Sequence, residues 1–372
     1  MTRLVYIGFN IEGIGGIPTY TRYQIKALKD LFESVFVYSV ARDPLRIAEG
    51  YADRTLLYTT RTRVALDIVR DLVAERRHMD LIVFNHINLA PMGYLMKKLF
   101  GTKYVLNAYN IDILRPLSWL RRRTFAACDL TICECQYTVF QLPKFHRDIP
   151  RTGLLYDPVD TEFFRPIDKR EAREHVARTF GLGKLDGKFI LVTVSVLPKS
   201  ANKGHRIVLE AMAEMRDPDL LYLIVGDGPD RPNVERLARE QGLDDQVIFT
   251  GRVDGEELPY LYSAVDVVAL ISRSADGIGE GVPLGLLEGA ACARPLICGN
   301  EDGSPEAICG GRPNGYAINP GEPREFIECL QRLKNSPELL ENMGRNSHRF
   351  ITDVFEYSKF KENLGALLRS VL

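Results

Sequence analysis

The sequence predicts an α/β protein of two facing domains, each built on a doubly wound parallel sheet. Three observations predict it. Short apolar, β-branched runs alternate with amphipathic stretches almost from end to end, the alternation breaks once and then restarts, and 372 residues are roughly twice a usual domain.

In the first half, the runs 4–9, 35–40, 81–85, 104–109, 130–134 and 154–156 read as buried strands. Helical periodicity is clearest over 19–30 and 63–77. Near-continuous apolar strands separated by helices mark a parallel sheet covered on both faces. Phe164-Arg165-Pro166-Ile167-Asp168 then opens a charged helical stretch to about Gly187, which reads as a linker. The rhythm resumes at 189–197, 221–226, 247–251, 265–272, 295–300 and 316–319. We therefore expect domains at 1–165 and 166–355, with a final helix at about 356–372 packing back on the first. Ligands of such sheets bind beyond the carboxyl ends of the strands, which for two facing domains is the cleft between them.

With 45% hydrophobic and 26% charged residues, long disordered stretches are excluded. No run of about 18 apolar residues exists, so no membrane span is expected, and the apolar stretch at 4–8 is too short for a signal peptide. The seven cysteines lack a zinc spacing, since Cys133 and Cys135 alternate in an apparent strand and no second pair answers them. They read as reduced core thiols, which sets the cytoplasm as the expected compartment. Residues 1–165 carry 23 Lys and Arg against 17 Asp and Glu, whereas 166–372 carry 25 against 32. Halves of opposite sign suggest different partners.

The most informative segment is Gly279-Glu280-Gly281-Val282-Pro283-Leu284-Gly285-Leu286-Leu287-Glu288-Gly289-Ala290-Ala291. A glycine-rich loop follows a strand, and Pro283 sits at a helix start, where its missing N–H is harmless. The open amides of such a start attract an anion, and a diphosphate is a suitable one. Glu288 falls between one and two turns into the helix, where its carboxylate can accept hydrogen bonds from the vicinal hydroxyls of a ribose. Glu280 projects from the loop. Singly, either acid is as well explained as a dipole partner or as solvated surface; their glycine-rich, apolar context favours a site.

Glu280 and Glu288 resemble the Glu-x7-Glu motif of retaining glycosyltransferases of family four, which have the GT-B architecture of two Rossmann-like domains. Further segments resemble that family in the same order: Gly15-Gly16-Ile17-Pro18, Leu155-Tyr156-Asp157-Pro158-Val159-Asp160, Lys203-Gly204, Val225-Gly226-Asp227-Gly228-Pro229 and Gly303-Ser304-Pro305-Glu306. The resemblance implies a retaining transfer of a sugar from a nucleotide diphosphate-sugar donor to a glycan or lipid-linked acceptor, with no metal cofactor, as in polysaccharide biosynthesis. Glu280 would contact the donor sugar and Glu288 the ribose. Lys203 would neutralise the diphosphate, with the amides of Gly16, Val282 and Leu284 around Pro283, and Arg252 and Val253 would lie near the base. A cation and fixed N–H dipoles stabilise a departing diphosphate. Retention by same-face displacement needs no protein nucleophile, unlike the paired-carboxylate scheme of glycosidases.

Three positions depart from the family. An arginine usually follows the second domain's first strand, where Val196 stands here; Lys199 either replaces its charge or belongs to a solvated loop. Tyr109 occupies a place where many relatives have histidine, and reads either as a sugar contact or as a buried strand-end tyrosine. His86 matches another family histidine, with a satisfied strand-end histidine as the alternative. Asp157-Pro158 replaces the usual Asn-Gly. Asp217-Pro218-Asp219 looks like a metal-nucleotide Asp-x-Asp but falls in a turn, and neither a dinucleotide fingerprint nor a phosphate-loop motif is present.

Residues 94–125 interleave apolar and basic side chains, among them Leu117, Leu120, Phe125 and Arg121–Arg123. They suit either a solvated basic face or a helix resting on an anionic membrane, hence a peripheral location on its inner face. Nucleic acid is not expected as a partner, because the net charge is −1 and no reading motif appears. The alternatives to a transferase are an inactive relative that binds sugar nucleotides and a nucleotide-sugar epimerase of the same architecture.

Overall fold

The structure, a computed structural model, describes residues 2–13, 15–41, 50–57, 60–74, 79–183, 185–199, 203–274 and 279–372. Contacts divide the chain into unit 1, Met1–Pro158 with Tyr357–Leu372, and unit 2, Val159–Glu356. The sequence reading set the division at 165/166. Residues 159–165 group with unit 2, where Val159 N–H donates to Phe355 O at 2.8 Å and the Phe164 ring packs edge-on against Tyr262.

Unit 1 is a parallel sheet of β1 (Arg3–Phe9), β2 (Ser34–Ala41), β3 (Arg54–Leu57), β4 (Leu81–Phe84), β5 (Lys103–Ala108), β6 (Leu130–Cys133) and β7 (Thr152–Leu154), ordered β3-β2-β1-β4-β5-β6-β7. Its helices are α1 (Gly16–Leu31), α2 (Arg61–Ala74), α3 (Ala90–Phe100), α4 (Asn110–Ile113), α5 (Trp119–Ala126) and α6 (Gln136–Phe145). The central strands Leu81–Phe84 and Leu130–Cys133 are buried at every position, as a sheet covered on both faces requires. β3 escaped the sequence reading. It is a short edge strand with no fully buried residue, so it carries no apolar run.

A buried polar network ties α1 to the sheet. Tyr6 Oη donates to Gln24 Oε1 (2.9 Å), Gln24 and Asn107 exchange amide hydrogen bonds (3.1 and 2.8 Å), and Asn85 Nδ2 reaches Thr21 Oγ1 (3.3 Å). The helix Tyr357–Arg369 also packs on α1, with the Phe360 ring 5.6 Å from Tyr20 and Leu364 and Leu368 in the same core as Leu4 and Leu130.

Unit 2 repeats the topology with β8 (Phe189–Val194), β9 (Leu220–Val225), β10 (Val247–Gly251), β11 (Val267–Leu270), β12 (Leu296–Gly299) and β13 (Gly315–Ile318), all parallel and ordered β10-β9-β8-β11-β12-β13. Its helices are α7 (Lys169–Thr179), α8 (His205–Met215), α9 (Arg231–Glu240), α10 (Leu258–Ala264), α11 (Leu284–Ala291), α12 (Pro323–Asn335) and α13 (Pro337–Val354). Leu191, Tyr222, Ile224, Ile297 and Phe326 anchor its apolar core. The supposed linker is structured: Asp168 caps α7 by accepting from Arg170 and Glu171 N–H, and Arg173 on α7 meets buried Asp266 at 2.9 Å.

Both sheets are thus doubly wound, reversing direction between β1 and β4 and between β8 and β11. Beyond the carboxyl ends of such strands lie the ligand positions of this architecture. All seven cysteines are thiols and five are buried; Cys135 lies past the end of β6, at the cap of α6, rather than in the strand as the sequence suggested. Among the described residues no helix is long and apolar enough to cross a membrane.

Candidate active site

In unit 2, the loops leaving β8, β11 and β12 bring together residues far apart in sequence. Lys203 Nζ lies 2.5 Å from Glu280 Oε1, with only 10% of the lysine side chain and 28% of the glutamate exposed. Gly204 fixes the lysine: its φ is +83°, and a Cβ there would sit 2.3 Å from the backbone oxygen of Ile271. The Glu280 backbone is clamped by Asp302, whose carboxylate accepts from Glu280 N–H (3.0 Å), Ser272 Oγ–H (2.6 Å) and Ser304 N–H (2.9 Å). Burial raises the carboxyl pKa of Asp302, and these donors hold it down in part.

Four residues after Glu280, α11 begins at Leu284, behind an extended Pro283 and with no side-chain cap. Val282 and Pro283 are buried, so the loop is seated rather than solvated. The amides of the first turn and the helix dipole favour an anion at this end. Further along, Glu288 Oε2 accepts from Tyr262 Oη at 2.7 Å. Burial pushes the Glu288 carboxyl up to about 7, and the tyrosine opposes that rise. Gly289 permits the close seating of α11, since a Cβ there would meet Val268 Cγ2 at 2.4 Å.

Arg252 and Val253 follow β10, the arginine exposed and the valine partly so. Lys199 is exposed in a turn after β8, and Val196 is 58% exposed where the family's arginine is expected. Asp217 pairs with Lys334, and Asp219 lies 3.0 Å from Lys188. His205 is buried, with Nδ1 2.8 Å from Tyr222 Oη, and burial lowers its pKa to about 4.

In unit 1, Gly16 opens α1. His86 follows β4; its Nδ1 accepts from Asn88 N–H (3.0 Å) and its Nε2 lies 3.0 Å from Asp112. Tyr109 follows β5, is 6% exposed, and its ring meets Tyr20 edge-on at 5.9 Å. The sequence reading missed Asp302 and Tyr262. Asp302 directly precedes the Gly303-Ser304-Pro305-Glu306 motif, a signal that could have found it; Tyr262 lies inside a short apolar helix and carries none.

Two doubly wound parallel units and these loops define the class, a glycosyltransferase fold of the GT-B kind. Within unit 2, residues 178–350 match the family model Glycosyl transferases group 1. Among curated relatives, the alpha-D-kanosaminyltransferase of Streptomyces kanamyceticus is 30% identical over 56% of this chain, and the alignment spans about half (52%) of that relative's length. The D-inositol 3-phosphate glycosyltransferase 2 of Catenulispora acidiphila is 29% identical over 93% of this chain and 82% of its own. The solved structure of Anabaena Alr3699/HepE in complex with UDP shares the fold at TM-score 0.81 and 18% identity, covering 99% of this chain and all of that one.

Proposed function

We propose that the protein is a retaining, metal-independent glycosyltransferase that moves a sugar from a nucleotide diphosphate-sugar to a glycan or lipid-linked acceptor. The observation that carries the reading is the Lys203–Glu280 pair, which sets a cation and a carboxylate near the open start of α11. In the transfer, the bond between the anomeric carbon and the diphosphate oxygen breaks while the acceptor oxygen bonds to the same face and gives its proton to the departing diphosphate oxygen. Lys203 and the first amides of α11 stabilise charge growing on the diphosphate. Glu280, drawn from Lys203 by the donor, accepts hydrogen bonds from sugar hydroxyls. Glu288 accepts from the ribose, with Tyr262 holding its carboxyl in place.

Thermal stability against a panel of nucleotide diphosphates and nucleotide-sugars tests the donor site in wild type and Glu288→Ala. A ligand at about 100 times its Kd adds roughly 2.7 kcal/mol. One base family should stabilise the wild type and not the variant, and NMR of the product should show the donor's anomeric configuration kept. No shift with any nucleotide overturns the reading. The exposed Val196 favours one rival, an inactive relative that binds donor; it would show the thermal shift and never release nucleotide.

The membrane expectation also stands as a proposal, with a changed set of residues. Phe125 is buried in the core and Leu117 partly so, whereas Leu95, Leu99, Phe100, Trp119 and Leu120 are exposed on α3 and α5 beside exposed Lys98, Arg122 and Arg123. Sedimentation with anionic vesicles, reversed by salt, is the expected result, and no binding at low salt sinks the idea.

A further inference from the structure

The carboxyl ends of β5, β6 and β7 in unit 1 gather polar groups that the donor reading does not use. Ala108 pairs with Cys133, and Cys133 with Leu154, so Tyr109 and Glu134 leave adjacent strands side by side. Leu155 N–H continues the ladder to Cys133 O at 2.9 Å, and Asp157 stands two residues beyond. Glu134 is held in place, its Oε1 accepting from Asn110 N–H (3.1 Å) and Thr138 Oγ–H (3.0 Å).

Tyr109 Oη and Asp157 Oδ1 are buried and make no hydrogen bond within the protein. Buried groups left so cost roughly 1–3 kcal/mol each, and folded proteins keep few of them. Burial and the like charge of Glu134 together raise the Asp157 carboxyl well above its ordinary value. Burial first, and then the charges of both carboxylates, raise the hydroxyl pKa values of Tyr109 and Tyr20, whose rings meet edge-on at 5.9 Å. Tyr109 and Asp157 are two of the positions at which this sequence departs from the family it resembles.

We propose that this strand-end site binds the ammonium group of a small hydroxylated molecule, an amino sugar or an aminocyclitol, with Asp157 and Glu134 as its anionic partners and the Tyr109 hydroxyl as a third contact. The three N–H donors of an ammonium match two carboxylates and a phenol oxygen, and its charge removes the repulsion between the acids. An anionic ligand would add to that repulsion, and a neutral sugar would leave it in place. Among the described residues no group of three His, Cys, Asp or Glu is gathered that could hold a metal ion. Resting on the transferase reading, the amine-bearing molecule is the acceptor.

The test is calorimetric binding of paired probes to the full chain: 2-deoxystreptamine and methyl glucosaminide, each against its N-acetylated form. The free amine of at least one pair should bind about tenfold tighter than its acetylated twin, a preference of about 1.4 kcal/mol. Asp157→Asn should bring that ratio near one while leaving the thermal response to nucleotides intact, and Tyr109→Phe should weaken the amine alone. Amine and acetylated forms that bind the wild type alike, an absence of binding by every amine, or a preference untouched by Asp157→Asn overturns the proposal. Failure of the donor reading looks different: no nucleotide shifts the melting point while the amine preference persists, which upholds the site and removes its role as acceptor site.

Discussion

The two units answer the same problem, an acidic side chain in the loops beyond a parallel sheet, in opposite ways. In unit 2 the chain supplies the counter-charge itself, Lys203 reaching Glu280 across 77 residues. In unit 1 the buried Asp157 carboxyl is set against a second acid, Glu134. A site that carries its own cation is ready to exchange it for a ligand's hydroxyls and phosphates. A site that opposes two acids is ready for a cation from outside. Similar topology therefore does not imply similar ligands; the loop side chains decide.

The largest expected effect tests the unit 2 half of this contrast. Lys203→Ala and Glu280→Gln should each lower kcat by about 10²–10³, as loss of one transition-state partner commonly does. Loss of less than about threefold in both would leave the pair a structural ion pair only. Next comes the glycine that seats the lysine. Gly204→Ala should destabilise the protein by roughly 3 kcal/mol, read from denaturant unfolding, because a positive φ and a 2.3 Å approach to Ile271 O coincide there.

Glu288 gives a smaller effect with a definite sign. Its folded pKa of about 7 lies above the ordinary 4.5, so between those values the folded form holds a proton that the unfolded chain has lost. Stability contributed by the protonated carboxyl is complete below about 4.5 and declines as pH rises toward 7, by roughly 2–3 kcal/mol. Glu288→Gln should flatten that part of the pH-stability curve. The smallest effect sharpens the unit 1 half: Tyr109→Phe should leave stability unchanged or raise it by up to about 1 kcal/mol, since it removes a hydroxyl with no partner. A loss of that size would mean the hydroxyl is already satisfied.

Much of the fold was legible because burial on both faces writes strands as unbroken apolar runs. Residues 4–9 and 247–251 needed little correction at their ends, whereas β3, half exposed on an edge, left no such run. The linker misled because charge and helical period look alike on a tether and on a docked helix; the difference is buried Asp266, which only the fold brings to Arg173. Motif order singled out Lys203 and Glu280 without showing that they touch. Tyr262 and Asp302, and the placing of Asp157 and Glu134 beyond neighbouring strand ends, depend on strand adjacency between distant segments, and no local pattern records that.

The helix Tyr357–Arg369 has a consequence for biosynthesis. It fills the core of unit 1 beside Tyr20 and Leu130, yet it follows all of unit 2 in the chain. On the ribosome, the first unit begun is therefore the last one finished: unit 2 can close as soon as residue 356 has emerged, while unit 1 still lacks the helix that packs on α1. A nascent chain stalled before residue 357 would hold a folded second unit and an unfinished first one, which is where a chaperone would find its client.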